Sequence, residues 1–290
     1  MCQSQLPVLD FIKCFPTLSG QSHKRRSIYM KMCLQSRTQG RGPALVMLHG
    51  WGVNSGVWQP IASQLERNFR VTYIDLPGFG INANVEFASY SVQSVADMVS
   101  KCLPAKCHLL GWSLGGLVAQ QIAADNPAKI EQLLLVATSP KFAKTPDWPG
   151  IEPRILEAFA QQLQSNFNKT LDRFLAIQAM GSDSAKSDIK RIRQNIQHYP
   201  VPHPEALQGG LKILGQTDLR LSININNVAV HWMLGQLDSL VPIALTEYLD
   251  NSQPGHSYHI FKHASHAPFI SHPEAFIANL VATVKGKMAS

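Results

Sequence analysis

The run Gly111-Trp112-Ser113-Leu114-Gly115 places a serine between two glycines, each two residues away. A serine hydroxyl is a weak nucleophile at neutral pH and attacks a carbonyl only when a neighbouring base takes its proton. The glycines suit a sharp strand-to-helix turn that lifts the serine clear of the chain, where side chains on either side would clash. Gly116 extends this small-residue surface, the apolar run Cys107 to Leu110 precedes it, and a helical pattern from Leu114 to Ala124 follows. Ser113 therefore reads as a nucleophile, which needs a histidine base and an acid to orient that base. Asp238 ends Gly235-Gln236-Leu237-Asp238, just after a strand pattern that stops at Leu234. His266 follows a second strand pattern that stops at Phe261. The chain has eleven histidines, so rivals exist: His263 and His272 compete as the base, and Asp250 as the acid. Position just beyond a strand favours Asp238 and His266, whereas Asp250 falls in a helix-end turn.

Attack on a carbonyl builds charge on its oxygen, which two backbone N–H groups can hold. Leu114, next after the nucleophile, supplies one. The turn His49-Gly50-Trp51-Gly52 supplies the other, with Trp51 the best-placed donor and the two glycines allowing a tight backbone. A plain core aromatic is the alternative role for Trp51. His49 reads as structural, because it lies at the exit of a strand before the turn.

These residues need a rigid frame. Ala44-Leu45-Val46-Met47-Leu48 is a continuous apolar run, as expected of a strand buried on both faces of a parallel sheet. Strand patterns recur at Arg70 to Ile74, Cys107 to Leu110, Ile130 to Ala137, Val228 to Leu234 and Tyr258 to Phe261. Helical patterns cover Val57 to Leu65, Val92 to Leu103, Leu114 to Ala124 and Glu274 to Val284. This alternation predicts an α/β fold with a mostly parallel, doubly wound sheet. Residues 141–220 break the rhythm with helical spacing and almost no strand pattern. They are expected as a helical cap over the carboxyl edge of the sheet, where such sheets bind ligands. The core is then 29–140 and 221–290. Residues 1–28 have no clear period and are interrupted by Pro7, Pro16 and Gly20, so they are expected as a disordered extension.

The net charge of +7 is concentrated at one end, since residues 1–43 carry +6 and leave +1 for the rest. A nearly neutral body does not suit nucleic acid. The five cysteines form no C-x-x-C pair, which points to free thiols in the cytoplasm with neither a disulfide framework nor a zinc site. No apolar run approaches the length of a membrane span. One local basic feature stands out in the cap. Lys169 and Arg173 are four apart, Lys186, Lys190 and Arg193 share a second helix face, and Arg191 is adjacent. Such stripes are commonly solvated faces, and on a cap over the serine they also suit an acidic protein partner.

The chain resembles the pimeloyl-[acyl-carrier protein] methyl ester esterases of biotin synthesis, which are α/β hydrolases. The likeness spans about residues 35–285. It rests on Leu48 to Gly52, Asp75-Leu76-Pro77-Gly78-Phe79-Gly80, Leu110 to Ala119 and His266 to Pro273, and more specifically on the cap segments Asp147 to Ile151, Arg173 to Ala176, Met180-Gly181, Gly209-Gly210-Leu211 and Asp218-Leu219-Arg220. The resemblance implies hydrolysis of the methyl ester of a pimeloyl chain on its carrier, by a monomer that needs no cofactor or metal. It implies a Ser113–Asp238–His266 triad, with Trp51 and Leu114 as oxyanion and substrate contacts. A cap wall would comprise Phe174, Leu175, Ala176, Ile177 and Gln178. The family's carrier-binding arginines fall on Lys169, Arg173, Lys186 and Lys190, three of them lysine, which keeps charge but loses the bidentate guanidinium geometry. A general short-chain carboxylesterase, or a carbon–carbon bond hydrolase of the same fold, is the alternative activity.

Overall fold

The computed structural model describes residues 11–13, 33–178, 185–222, 228–252 and 256–288. Its frame is a sheet of eight strands among the described residues: β1 Phe11–Lys13, β2 Gln35–Gln39, β3 Ala44–Leu48, β4 Arg70–Ile74, β5 Cys107–Trp112, β6 Ile130–Val136, β7 Ala229–Gly235 and β8 His256–Phe261. Their spatial order is β1-β2-β4-β3-β5-β6-β7-β8. The β1–β2 and β2–β4 pairs are antiparallel and the remaining pairs are parallel.

The parallel strands are apolar throughout because helices cover both faces, and the two-residue period divides their side chains between two cores. Val46 and Leu48, Leu109, Leu133 and Leu135, and Trp232 and Leu234 enter one core. Leu45 and Met47, Leu110, Leu134 and Val136, and Met233 enter the other. The helices sort accordingly. α1 (Gln59–Asn68) and α10 (Pro273–Met288) close the second core through Ile61, Leu65, Phe276 and Leu280. α2 (Val92–Ser100) and α3 (Leu114–Asp125) close the first through Val95, Val99, Leu117 and Ile122. α2 begins with a capping box in which Ser91 and Ser94 satisfy each other's backbone N–H.

Between β6 and β7 lie four helices among the described residues: α4 Pro153–Ser165, α5 Phe167–Gln178, α6 Ala185–Ile196 and α7 Pro204–Gln216. The segment enters and leaves at one point, where Leu219 donates to the carbonyl of Pro140 at 2.9 Å. Arg220 ties this neck together, reaching Asp218 at 2.8 Å and Asp147 at 3.1 Å while stacking over Trp148. The chain then passes through α8 (Leu245–Ser252), β8 and the short α9 (Pro268–Ser271).

Two strands lie outside the sequence reading. β2 is Gln-Ser-Arg-Thr-Gln, too polar to show an apolar period, and it is recruited by antiparallel pairing with β4. β1 falls inside residues 1–28, which showed no strand pattern in sequence. No helix among the described residues is long and apolar enough to cross a membrane.

Candidate active site

Ser113 sits between β5 and α3 with φ 55° and ψ −119°, a backbone state that a residue with a Cβ adopts at a cost of about 1–3 kcal/mol. Neighbouring bonds hold it there. Its N–H donates to the Val136 carbonyl at 3.0 Å, and its carbonyl accepts from Gly116 N at 2.9 Å and Thr138 Oγ1 at 2.8 Å. Thr138 is a support that sequence reasoning missed, because nothing in its local pattern ties it to residue 113. The flanking glycines are required by space. A Cβ on Gly111 would overlap the Gly115 carbonyl, and one on Gly115 would lie 2.5 Å from the His49 carbonyl oxygen.

His266 Nε2 is 2.9 Å from Ser113 Oγ, and His266 Nδ1 is 2.8 Å from Asp238 Oδ2. All three residues are buried, His266 completely. Asp238 is anchored through its other oxygen, which accepts from the N–H groups of Leu240 at 2.8 Å and Val241 at 3.0 Å. The His266 backbone is held from two sides, donating to the Gln178 carbonyl at 3.0 Å and accepting from Trp112 Nε1 at 2.8 Å. With its carboxylate on Nδ1 and the hydroxyl on Nε2, this imidazole is placed to take a proton from Ser113. The rivals lie elsewhere. His263 is exposed, His272 bonds Ser271 Oγ at 2.8 Å, and Asp250 belongs to α8.

Leu114 opens α3, so its N–H is one of the first-turn donors that a helix leaves without an internal acceptor. Trp51 follows β3, and the orientation of its peptide is set by His49. The His49 ring is buried, accepts from Leu76 N at 3.0 Å on Nε2, and donates from Nδ1 to the Gly50 carbonyl at 2.7 Å. Asp75 Oδ1 lies 3.7 Å from Nε2 and would favour a charged ring, but burial outweighs it and lowers the His49 pKa. A neutral ring fits both bonds. In a trans peptide, a Gly50 carbonyl turned to His49 sends the Trp51 N–H the opposite way. Gly50 itself approaches the nucleophile, since a Cβ there would lie 3.3 Å from Ser113 Cβ.

The expected cap wall is divided. Phe174 is buried and meets the Trp51 ring edge-on at 4.8 Å. Gln178 is also buried, and its carbonyl receives Ser265 Oγ at 2.7 Å as well as the His266 N–H. Its side-chain amide has no hydrogen-bond partner at either end among the described residues. Ile177 is half-buried, and its carbonyl accepts a long bond from Ser239 beside Asp238. Leu175 packs into the opposite core with Ile192, and Ala176 is exposed, so neither joins Trp51. This division follows from helical geometry, because five consecutive residues point all round a helix.

Lys169, Arg173, Lys186 and Lys190 are all exposed, on α5 and α6. Arg173 stacks over Phe159 at 5.5 Å and donates to Gln162. Arg193, counted with the lysines in sequence, is instead ion-paired with Asp172 across the two helices.

A family profile described as the alpha/beta hydrolase fold matches residues 43–273, and the chain belongs to that family. An esterase from Exiguobacterium antarcticum has the same fold, with a TM-score of 0.77 at 20% identity over 87% of this chain and 96% of its own. Two sequence relatives narrow the family. A protein of Pseudoalteromonas atlantica is 55% identical over 87% of this chain and 98% of its own length. One of Aeromonas salmonicida is 46% identical over 82% and 94%. Both are named pimeloyl-[acyl-carrier protein] methyl ester esterase, and it is to the family of these esterases that the chain belongs.

Proposed function

We propose that this protein hydrolyses the methyl ester of pimeloyl-[acyl-carrier protein] to the free distal carboxylate and methanol, a cytoplasmic step of biotin synthesis. The observation that carries the reading is the continuous Asp238–His266–Ser113 hydrogen-bonded line, 2.8 Å and 2.9 Å long, in a chain 55% identical to an esterase of that name. His266 Nε2 takes the Ser113 proton as Oγ attacks the ester carbonyl. The resulting oxyanion accepts from the N–H groups of Leu114 and Trp51. His266 then returns the proton to the departing methoxide, which leaves as methanol, and Asp238 stabilises the imidazolium throughout. Water gives one proton to the same imidazole as it attacks the acyl-serine carbonyl, and His266 passes that proton to Ser113 Oγ as the acid departs.

The cap supplies the rest of the reading. Phe174 and Trp51 form an aromatic wall suited to a methylene chain. The Gln178 amide, without a partner among the described residues, supports a substrate contact, because a buried polar group left unpaired costs about 1–3 kcal/mol unless a ligand satisfies it. The exposed cations of α5 and α6 suit an acidic carrier.

The test is Ser113→Ala. The purified, folded variant is expected to lose on the order of 10⁶ in turnover of the carrier-linked ester and all labelling by a fluorophosphonate. It should also fail to rescue a biotin-requiring strain that lacks this esterase, whereas the wild-type chain rescues it. Near wild-type hydrolysis by the variant would end the assignment.

A further inference from the structure

The backbone of Trp51 belongs to the core, but its side chain is held by the cap. Indole Nε1 donates at 2.8 Å to the carbonyl of Leu207, within α7. A helical carbonyl has a second lone pair, so this bond is additional to the helix's own. Three residues on, Gly210 presents bare backbone to the same indole. A Cβ there would lie 2.6 Å from Trp51 Cδ1 and 3.2 Å from Leu114 Cδ2. Phe174 of α5 closes on the ring from another side. Both residues proposed to hold the oxyanion thus lie against Gly210.

Glycine in mid-helix weakens the helix, so its presence asks for a reason. α7 has two in succession. Gly209 faces elsewhere, since a Cβ there would lie 2.5 Å from Tyr90 Cβ. Both are forced by close approach, but only Gly210 approaches the site.

We propose that α7 is a positioning element for the oxyanion hole, with Gly210 and the Leu207 carbonyl setting where Trp51, and through it the Trp51 N–H, comes to rest. The cap then does more than wall the acyl chain: its seating on the core fixes a donor that acts on the transition state. This inference rests on the esterase reading, in which Trp51 and Leu114 hold the oxyanion.

The neighbouring glycines provide an internal control. Gly210→Ala displaces a rigid indole and the Leu114 side chain. Removing a whole oxyanion donor costs about 10²–10³ in kcat, so a displaced donor should cost roughly 10–100-fold on a small p-nitrophenyl ester, with KM changed little. Affinity for a trifluoromethyl ketone, which forms a tetrahedral adduct on serine, should fall in parallel. Gly209→Ala should lower the melting temperature but leave kcat within about threefold. Trp51→Phe keeps an aromatic ring but removes the indole edge that bonds Leu207 and abuts Gly210, and it should lower kcat more than it raises KM. It serves if Gly210→Ala does not fold. Equal loss of kcat in both glycine variants, or an unchanged kcat in folded Gly210→Ala or Trp51→Phe, would overturn the inference alone. Absence of ester turnover or fluorophosphonate labelling in the wild-type protein would overturn the esterase reading, and this inference with it.

Discussion

Replacing Asp238 by Asn keeps the side chain's shape and changes only what its two ends can do. The carboxylate accepts everywhere: Oδ1 from Leu240 and Val241, Oδ2 from His266 Nδ1. The amide has one accepting and one donating end. With its oxygen kept on the two backbone N–H groups, its NH2 faces Nδ1. That nitrogen must then accept, so the proton sits on Nε2, against Ser113 Oγ. His266 in this form donates to the serine and cannot take its proton. The flipped amide restores the productive tautomer but turns NH2 onto two buried N–H donors, at about 1–3 kcal/mol for each bond lost. Two such losses, about 2–6 kcal/mol, convert at tenfold per 1.4 kcal/mol to a productive fraction between about 1 in 30 and 1 in 10⁴. The same exchange in a serine protease triad costs about 10⁴ in kcat. Asp238→Asn should therefore lower kcat on a p-nitrophenyl ester by about 10²–10⁴ while circular dichroism shows an intact fold. Fluorophosphonate labelling should slow in parallel, because it also needs the serine deprotonated. A folded variant within tenfold of wild-type kcat would refute the role of Asp238 in setting the tautomer.

Charge reversal of Lys186 and Lys190 to Glu should raise KM for the carrier-linked ester and leave a small neutral ester almost untouched. Added salt should weaken the wild-type carrier reaction and narrow the gap, since the Debye length is about 8 Å at physiological ionic strength. Equal loss on both substrates would indicate a damaged cap instead. Acid should destabilise the β7–β8 edge. Burial lowers the His231 pKa and pushes that of His256 down from 6.5 to about 4, and His256 Nδ1 accepts from Trp232 Nε1 only while neutral. Because these folded-state values lie below the unfolded one, their stabilisation is present above about pH 6.5 and is lost as the pH falls towards 4. His256→Gln should flatten the fall in melting temperature across that window, and an unchanged slope would exclude His256 as its source.

The order and character of the core elements were legible in sequence because burial on both faces leaves a signal that needs no partner to read. An apolar run such as Ala44–Leu48 is a central strand wherever it pairs. The serine turn was legible for a similar reason: Gly111 and Gly115 answer a local lack of space next to residue 113. β2 was not legible, because a polar strand flanked on both sides is made by its neighbours' hydrogen-bonding groups and not by its own pattern. Sequence position could favour His266 over His263 and His272, but only the folded chain sets Nε2 2.9 Å from a hydroxyl 153 residues away. The same holds for Thr138 behind Ser113, for Arg193 spent on Asp172, and for Leu175 and Ala176 on other faces of their helix than Phe174. Trp51 shows the division most clearly. Its place after β3 follows from the local turn, while the cap helix that grips its indole arrives from residues 207 and 210. Periodicity records which side of an element avoids water. Hydrogen bonds and close approaches depend on where distant segments meet, and that is settled only when the layers pack.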